Sequence, residues 1–133
     1  MNFDTFLKYI PQILDEKLPG EEAHMEMMPL ERIAIFQDLD LEKINPREAS
    51  VMMLFYPKNN EPHLVMILRN SYKGVHSSQI GFPGGKVEKF DTSLDDTALR
   101  ETFEEIGVDR ELISIVRPFT PLYIPPSNFK VYP

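Results

Sequence analysis

Cysteine is absent from these 133 residues. That excludes disulfides, thiolate-held zinc and a cysteine nucleophile, so any metal must be held by oxygen or by histidine. It also fits a reducing compartment. No apolar run approaches the roughly 18 residues of a membrane-spanning helix. The start Met1-Asn2-Phe3-Asp4 lacks the basic and apolar stretches of a secretory signal. A cytoplasmic protein with no membrane association is therefore expected. Positive charge is in deficit, with 14 Lys+Arg against 21 Asp+Glu and a net charge of -7. This opposes a general nucleic-acid binder, because phosphate backbones are held by concentrated Lys and Arg. It leaves room for a small polyphosphate, since a divalent cation held by carboxylates supplies the local positive charge. No internal repeat or low-complexity segment is present, and 42% apolar content over this length suits one core.

Along the chain, Phe3, Phe6, Leu7, Ile10, Ile13, Leu14 and Leu18 recur at helical spacing, with Pro11 breaking the pattern into two short helices. Residues 1–45 are read as a helical arm and connector, in which Met25, Met27 and Met28 are expected to fill packing gaps. Residues 46–133 are read as the main domain. Within it, Ala49–Tyr56 and His63–Leu68 flank the turn segment Pro57-Lys58-Asn59-Asn60-Glu61-Pro62, predicting a hairpin. A polar loop from Arg69 to Gln79 leads to Ile80-Gly81-Phe82-Pro83-Gly84-Gly85-Lys86-Val87. Ser93 followed by Asp96 predicts a capped helix running to Ile106, with Gly107 as its stop. Ile113–Pro118 is a strand candidate, 121–126 a proline-broken loop, and Phe129–Tyr132 a last strand.

The helix carries the chemistry. Leu99, Phe103 and Ile106 fall on one side, predicting the face that packs on the core. Glu101, Glu104 and Glu105 project within a narrow arc, where like charges oppose one another by a few tenths of a kcal/mol per pair. On an isolated helix such carboxylates are usually a solvated face. A divalent cation would reverse the sign of that repulsion, because hard ions prefer several carboxylate oxygens. Arg100 is placed to orient a carboxylate through a forked contact, with Glu104 as one partner. Upstream, Gly84-Gly85 offers backbone that can approach a phosphate or present a carbonyl to a metal.

Gly85 followed by Arg100-Glu101-Thr102-Phe103-Glu104-Glu105-Ile106-Gly107-Val108 resembles the Nudix box: Gly, five residues, Glu, seven residues, then Arg-Glu-apolar-any-Glu-Glu-any-Gly-apolar. The second half matches closely. In the first half Asp91 stands where Glu is usual, eight residues rather than seven separate it from Arg100, and Thr102 replaces an apolar residue. That expansion, with Leu68-Arg69-Asn70-Ser71 and Phe82-Pro83-Gly84-Gly85, is similar to the coenzyme A pyrophosphatase branch of the Nudix hydrolases. The branch glycine four residues before Phe82 is Ser78 here, and the arginine four before that is Gly74. The resemblance covers about residues 48–133, and Leu18-Pro19-Gly20 and Ala23-His24 look like the segment that precedes the domain in bacterial members.

The resemblance implies an α+β fold, an α/β/α sandwich with a mixed central sheet, whose closing strand and helix would lie beyond Pro133. A sheet cut there would expose an edge open to a second copy, as in a homodimer. The implied metal is Mg2+ or Mn2+, held by Glu101, Glu105, Glu104 and the Gly84 carbonyl, with Arg100 orienting the carboxylates. Arg69, Lys73, Lys86, His76 and the backbone of Gly84 and Gly85 are the candidates for binding a small nucleotide substrate. The implied reaction is hydrolysis of a pyrophosphate linkage, with coenzyme A giving 4'-phosphopantetheine and adenosine 3',5'-bisphosphate. Two alternatives stay open: a Nudix pyrophosphatase for ADP-ribose or dinucleoside polyphosphates, and a nucleotide-binding or regulatory module without turnover.

Overall fold

The computed structural model describes residues 1–37, 39–69 and 78–133. Lys73 and His76 lie outside the described residues. The arm forms α1 (Phe3–Leu7), α2 (Ile10–Asp15), α3 (Gly20–Glu26), α4 (Leu30–Gln37) and α5 (Leu41–Ile44). Pro11 sits in the first turn of α2, where a missing N–H costs nothing, so the break falls just before it. The expected packing role fails for Met27, which is 88% exposed, and for Met25, which is also exposed.

The arm is tied down at two places. Phe6 packs on Phe55 with ring centroids 5.1 Å apart, and the Phe3 N–H donates to the Asn60 carbonyl at 2.8 Å. At the other end, Arg117 Nη1 donates to the carbonyls of Ile13, Leu14 and Glu16 at 2.6, 3.2 and 2.8 Å. One guanidinium thus satisfies orphan acceptors at the C-terminal end of α2.

The strands are β1 (Arg47–Val51), β2 (Phe55–Lys58), β3 (Glu61–Leu64), β4 (Ile67–Leu68), β5 (Ile80–Gly81), β6 (Gly84–Lys86), β7 (Leu122–Ile124) and β8 (Phe129–Tyr132). β2 and β3 form the expected hairpin, shorter than predicted, around Asn59 and Asn60 at φ 53° and 61°. Two consecutive left-handed residues make the tight turn that suits strand twist, and Asn tolerates that conformation. β1 does not pair in this hairpin. It lies inside a four-stranded sheet ordered β6-β1-β8-β7, antiparallel to β6 and parallel to β8. The sheet is therefore mixed, as expected.

Two predictions are corrected after the helix. Residues 113–118 form no strand, and 122–124, assigned to a broken loop, form β7 as the antiparallel partner of β8. Short β-prone runs acquire their state from an available partner, and Leu122–Ile124 has one in β8.

The long helix α6 (Leu94–Ile106) lies over β1 and β6. Its buried residues are Thr97, Ala98 and Thr102, while Phe103 is 52% exposed. The expected core face of Leu99, Phe103 and Ile106 is thus wrong. Small side chains face the sheet, where Ala49 and Ser50 are also buried. Bulkier ones would hold the helix too far off for its carboxylates to reach the Gly84-Gly85 backbone. Thr102, which departs from the apolar pattern, is fully buried and returns its hydroxyl to the Ala98 carbonyl at 2.7 Å. That contact removes the cost of burying a polar group.

Candidate metal and pyrophosphate site

α6 is held at both ends as its sequence predicts. Ser93 Oγ accepts the Asp96 N–H at 3.0 Å, and Gly107 at φ 72° closes the helix. Arg110 pairs with Asp96 and pulls its carboxyl below the ordinary value, helped by the Thr92 N–H. Glu101, Glu104 and Glu105 occupy the C-terminal half, the negative end of the helix dipole, with no basic residue in the last turn. Three carboxylates there need a compensating cation.

Among the described residues, Arg100 pairs with two of them. Its Nε and Nη2 donate to the two oxygens of Asp91 at 2.8 and 2.9 Å, and Nη2 also reaches the Lys86 carbonyl at 3.1 Å. Nη1 donates to Glu101 Oε1 at 2.8 Å and to Glu104 at 3.4 Å. The forked partner is therefore Asp91, and the predicted Arg100–Glu104 contact is the weakest of the set. Asp91 also accepts the Glu88 N–H and the Thr97 hydroxyl, each at 2.8 Å. Its side chain is 1% exposed, and Arg100 above all holds its carboxyl far below the usual carboxylate range. Asp91 in turn raises Arg100, so both stay charged throughout the working pH range.

Glu101 experiences the opposite balance. Burial pushes its carboxyl above the ordinary value, opposed by the Arg100 hydrogen bond and reinforced by the charges of Glu104 and Glu105. It lies hard against Gly85, where any Cβ would overlap the carboxyl group. Gly84, at φ +154°, leaves no room either, because a Cβ would overlap the Ser50 carbonyl and Val51. Its N–H donates to Glu105 Oε2 at 2.9 Å. The two glycines thus bring bare backbone against two of the three glutamates. Arg69, just after β4, reaches the same backbone, with Nη2 3.5 Å from the Phe82 carbonyl and 3.4 Å from that of Gly84. Lys86 follows directly and is exposed, 3.6 Å from Glu88.

Residues 45–132 match the NUDIX domain. The chain belongs to that family. The stretch from Gly85 to Val108 that resembles the Nudix box, including α6, lies within the matched residues. Among relatives, the chain is 34% identical over 83 residues to "Nudix hydrolase 15, mitochondrial" of Arabidopsis thaliana, covering 62% of this chain and 29% of that protein. It is 34% identical over 79 residues to "Uncharacterized Nudix hydrolase NudL" of Enterobacter sp. (strain 638), covering 59% and 41%. With "Nudix hydrolase 22, chloroplastic" of Arabidopsis thaliana it shares 35% over 75 residues, covering 56% and 25%. The chain thus spans well under half the length of these curated relatives.

Nudix hydrolases generally need divalent cations. The donor set here suits one: three carboxylates and the Gly84 carbonyl are hard oxygen ligands, and no Cβ intrudes between Gly85 and Glu101. Among the described residues, no three carboxylate or imidazole groups already converge as a metal cage. Arg100 holds Glu101 and Glu104, the Gly84 amide holds Glu105, and Arg69 lies on the Gly84 carbonyl. Loading an ion would exchange some of these contacts for metal bonds. Asp91 is the member of the cluster whose part reading the sequence missed. Its acid at the box position was visible, but its service to Arg100 depends on how residues 87–93 turn back to α6.

Proposed function

We propose that this chain carries the metal-dependent centre of a pyrophosphohydrolase acting on a nucleoside diphosphate derivative, namely coenzyme A or its derivatives. The observation that carries this reading is the Asp91–Arg100 fork holding a row of glutamates beside Gly84-Gly85. A domain without turnover has no physical need to gather repelling carboxylates at the negative end of a helix. Glu101, Glu104, Glu105 and the Gly84 carbonyl would hold Mg2+ or Mn2+, which supplies charge neutralisation and acidified water when bound. Arg100 sets the orientation of Glu101 and Glu104, and Asp91 sets Arg100. The backbone at Gly84 and Gly85 would meet the pyrophosphate, and Arg69 and Lys86 would meet its charge. Water adds to one phosphorus, the bridging oxygen leaves with the other phosphate, and a carboxylate of the cluster takes the proton. The choice of coenzyme A rests on Phe82-Pro83-Gly84-Gly85 and on the extra residue between Gly85 and Arg100. Products would be 4'-phosphopantetheine and adenosine 3',5'-bisphosphate.

The test is product analysis with coenzyme A, ADP-ribose and a dinucleoside polyphosphate in Mg2+ or Mn2+, comparing the chain with Glu105→Gln. Cleavage of coenzyme A above the others, abolished by the substitution, supports both reaction and site. Preference for another substrate overturns the coenzyme A reading alone. No cleavage by a folded, metal-binding chain overturns the hydrolase reading.

A further inference from the structure

Two threonines, Thr97 and Thr102, are fully buried on the face of α6 that lies over the sheet. A buried hydroxyl must find an acceptor, and the two find different ones. Thr102 donates to the Ala98 carbonyl at 2.7 Å, one turn back along its own helix. Thr97 Oγ1 has the equivalent Ser93 carbonyl at 3.3 Å, but that oxygen already accepts the Thr97 N–H at 3.1 Å. Asp91 Oδ2 lies closer, at 2.8 Å. A hydroxyl has one proton, and the nearer, charged acceptor takes it. The Thr97 proton therefore leaves the helix for the loop. Asp91 Oδ2 collects three donors in all, Thr97 and the Glu88 N–H at 2.8 Å and Arg100 Nη2 at 2.9 Å, while Oδ1 meets Arg100 Nε at 2.8 Å. Thr97 and Arg100 stand at i and i+3, so one turn of α6 grips the same carboxylate twice. The torsion that turns an Asp carboxylate has no sharp wells, and its plane is set by its donors. Arg100 rides on a long side chain and Glu88 on the loop. Thr97, short, β-branched and fully buried, is the donor with the least freedom.

We propose that Thr97 is a positioning residue of the metal site, whose hydroxyl fixes the plane of the Asp91 carboxylate and through it the guanidinium of Arg100 and the carboxylate of Glu101. The proposal rests on, and deepens, the metal-site reading above. Arg100 Nη1 lies 2.8 Å from Glu101 Oε1, so a turn of the guanidinium moves the carboxylate it holds. Thr97 itself touches neither ion nor substrate. Valine in its place keeps the buried volume and leaves Asp91 Oδ2 two donors, so no group is orphaned while the fork gains freedom to rotate.

The experiment follows the Arg100 Nε–H resonance by NMR in the metal-free chain, assigned by its loss in Arg100→Lys, and measures Mn2+ affinity by titration. It compares the unsubstituted chain with Thr97→Val, Thr97→Ser and Thr102→Val. Thr97→Val should speed solvent exchange of the Arg100 Nε–H about tenfold and weaken Mn2+ binding about tenfold, the lower end for losing a group that orients a ligand from behind. Thr97→Ser keeps the hydroxyl and should hold both within about twofold of the unsubstituted chain. Thr102→Val removes an equally buried hydroxyl and should change neither, whereas a merely structural role would make the two valine variants alike. In the unsubstituted chain the Thr97 hydroxyl proton should itself be visible and slow to exchange, a readout independent of how any variant folds. Unchanged Arg100 exchange in Thr97→Val, a loss that serine does not restore, an equal effect of Thr102→Val, or a fast-exchanging Thr97 hydroxyl would overturn the proposal. No Mn2+ binding by the unsubstituted chain overturns the metal-site reading and the proposal with it. Neither readout needs turnover, so the expected pattern in a chain that cleaves no substrate refutes the hydrolase reading and spares Thr97. A chain that cleaves coenzyme A with Arg100 unmoved in Thr97→Val does the reverse.

Discussion

Two of the three carboxylates on the guanidinium of Arg100, Asp91 and Glu101, are treated oppositely by the chain. Asp91 is buried, meets Arg100 with both oxygens, takes two further hydrogen bonds and is driven strongly toward its charged form. Glu101 keeps 17% of its side chain exposed, meets Arg100 through one oxygen and is driven toward its neutral form. Both surroundings are partly dry, so burial alone does not separate them. Coordination does: an anion with all its hydrogen-bond demand met is stabilised, and one with unmet demand is left seeking a cation. Asp91 thus fixes Arg100, whereas Glu101 is left with less of its charge satisfied.

The comparison extends to the adjacent glycines, and there it can be broken most severely. Gly84→Ala should cost about 3 kcal/mol or more, because its backbone conformation is nearly glycine-only and the nearest atoms a methyl would strike, in Ser50 and Val51, are main chain. Urea denaturation would report it as a lowered midpoint at unchanged slope. An unaltered midpoint would mean that the loop is not packed as described.

Asp91→Asn should follow, at about 2–3 kcal/mol, since it removes a charged partner from a mostly buried guanidinium. Its pH dependence checks the assignment. The folded-state pKa of Asp91 is lowered, so its contribution is complete above the ordinary carboxylate value near 4 and drains away as pH falls toward the folded value. Stability curves of the two proteins should therefore lie apart at neutral pH and approach one another in acid. Parallel curves would show that the Asp91 charge is not what stabilises the fold.

Gly85→Ala should separate the site from the fold. Its added methyl meets the end of the flexible Glu101 side chain, which can swing aside, so stability should change by about 1 kcal/mol or less. Metal-dependent hydrolysis should fall by about tenfold or more, because the displaced carboxylate no longer lies beside the loop. Full activity with a displaced Glu101 would remove that residue from the metal site.

Glu101→Gln should have the smallest effect on the metal-free chain, within about 0.5 kcal/mol at neutral pH. The sign is set by linkage. A raised folded-state pKa favours folding below the ordinary carboxylate value, and that advantage is lost as pH rises through the folded value, so a neutral isostere is tolerated at pH 7. Thermal melts with Mg2+ or Mn2+ sharpen the contrast: at an ion concentration 100 times Kd the unsubstituted chain gains about 2.7 kcal/mol, and the variant should gain almost none.

What the sequence by itself determined is local in origin. The capped span of α6, its glycine stop, the Asn59-Asn60 turn, the Pro11 break and the carboxylate row all follow from contacts within about four residues, and each is present in the structure. What only the tertiary structure decided depends on partners far along the chain. β1 pairs with β8 across some eighty residues, so residues 122–124 became a strand and 113–118 did not. The buried face of α6 went to Thr97, Ala98 and Thr102 because the sheet beneath offers glycine, alanine and serine. Apolarity names the residues that can be buried, but close approach of two backbones selects the small ones. Asp91 was legible as an acid near the right spacing, and its fork with Arg100 was not, since that depends on the path of the loop rather than on the residues within it.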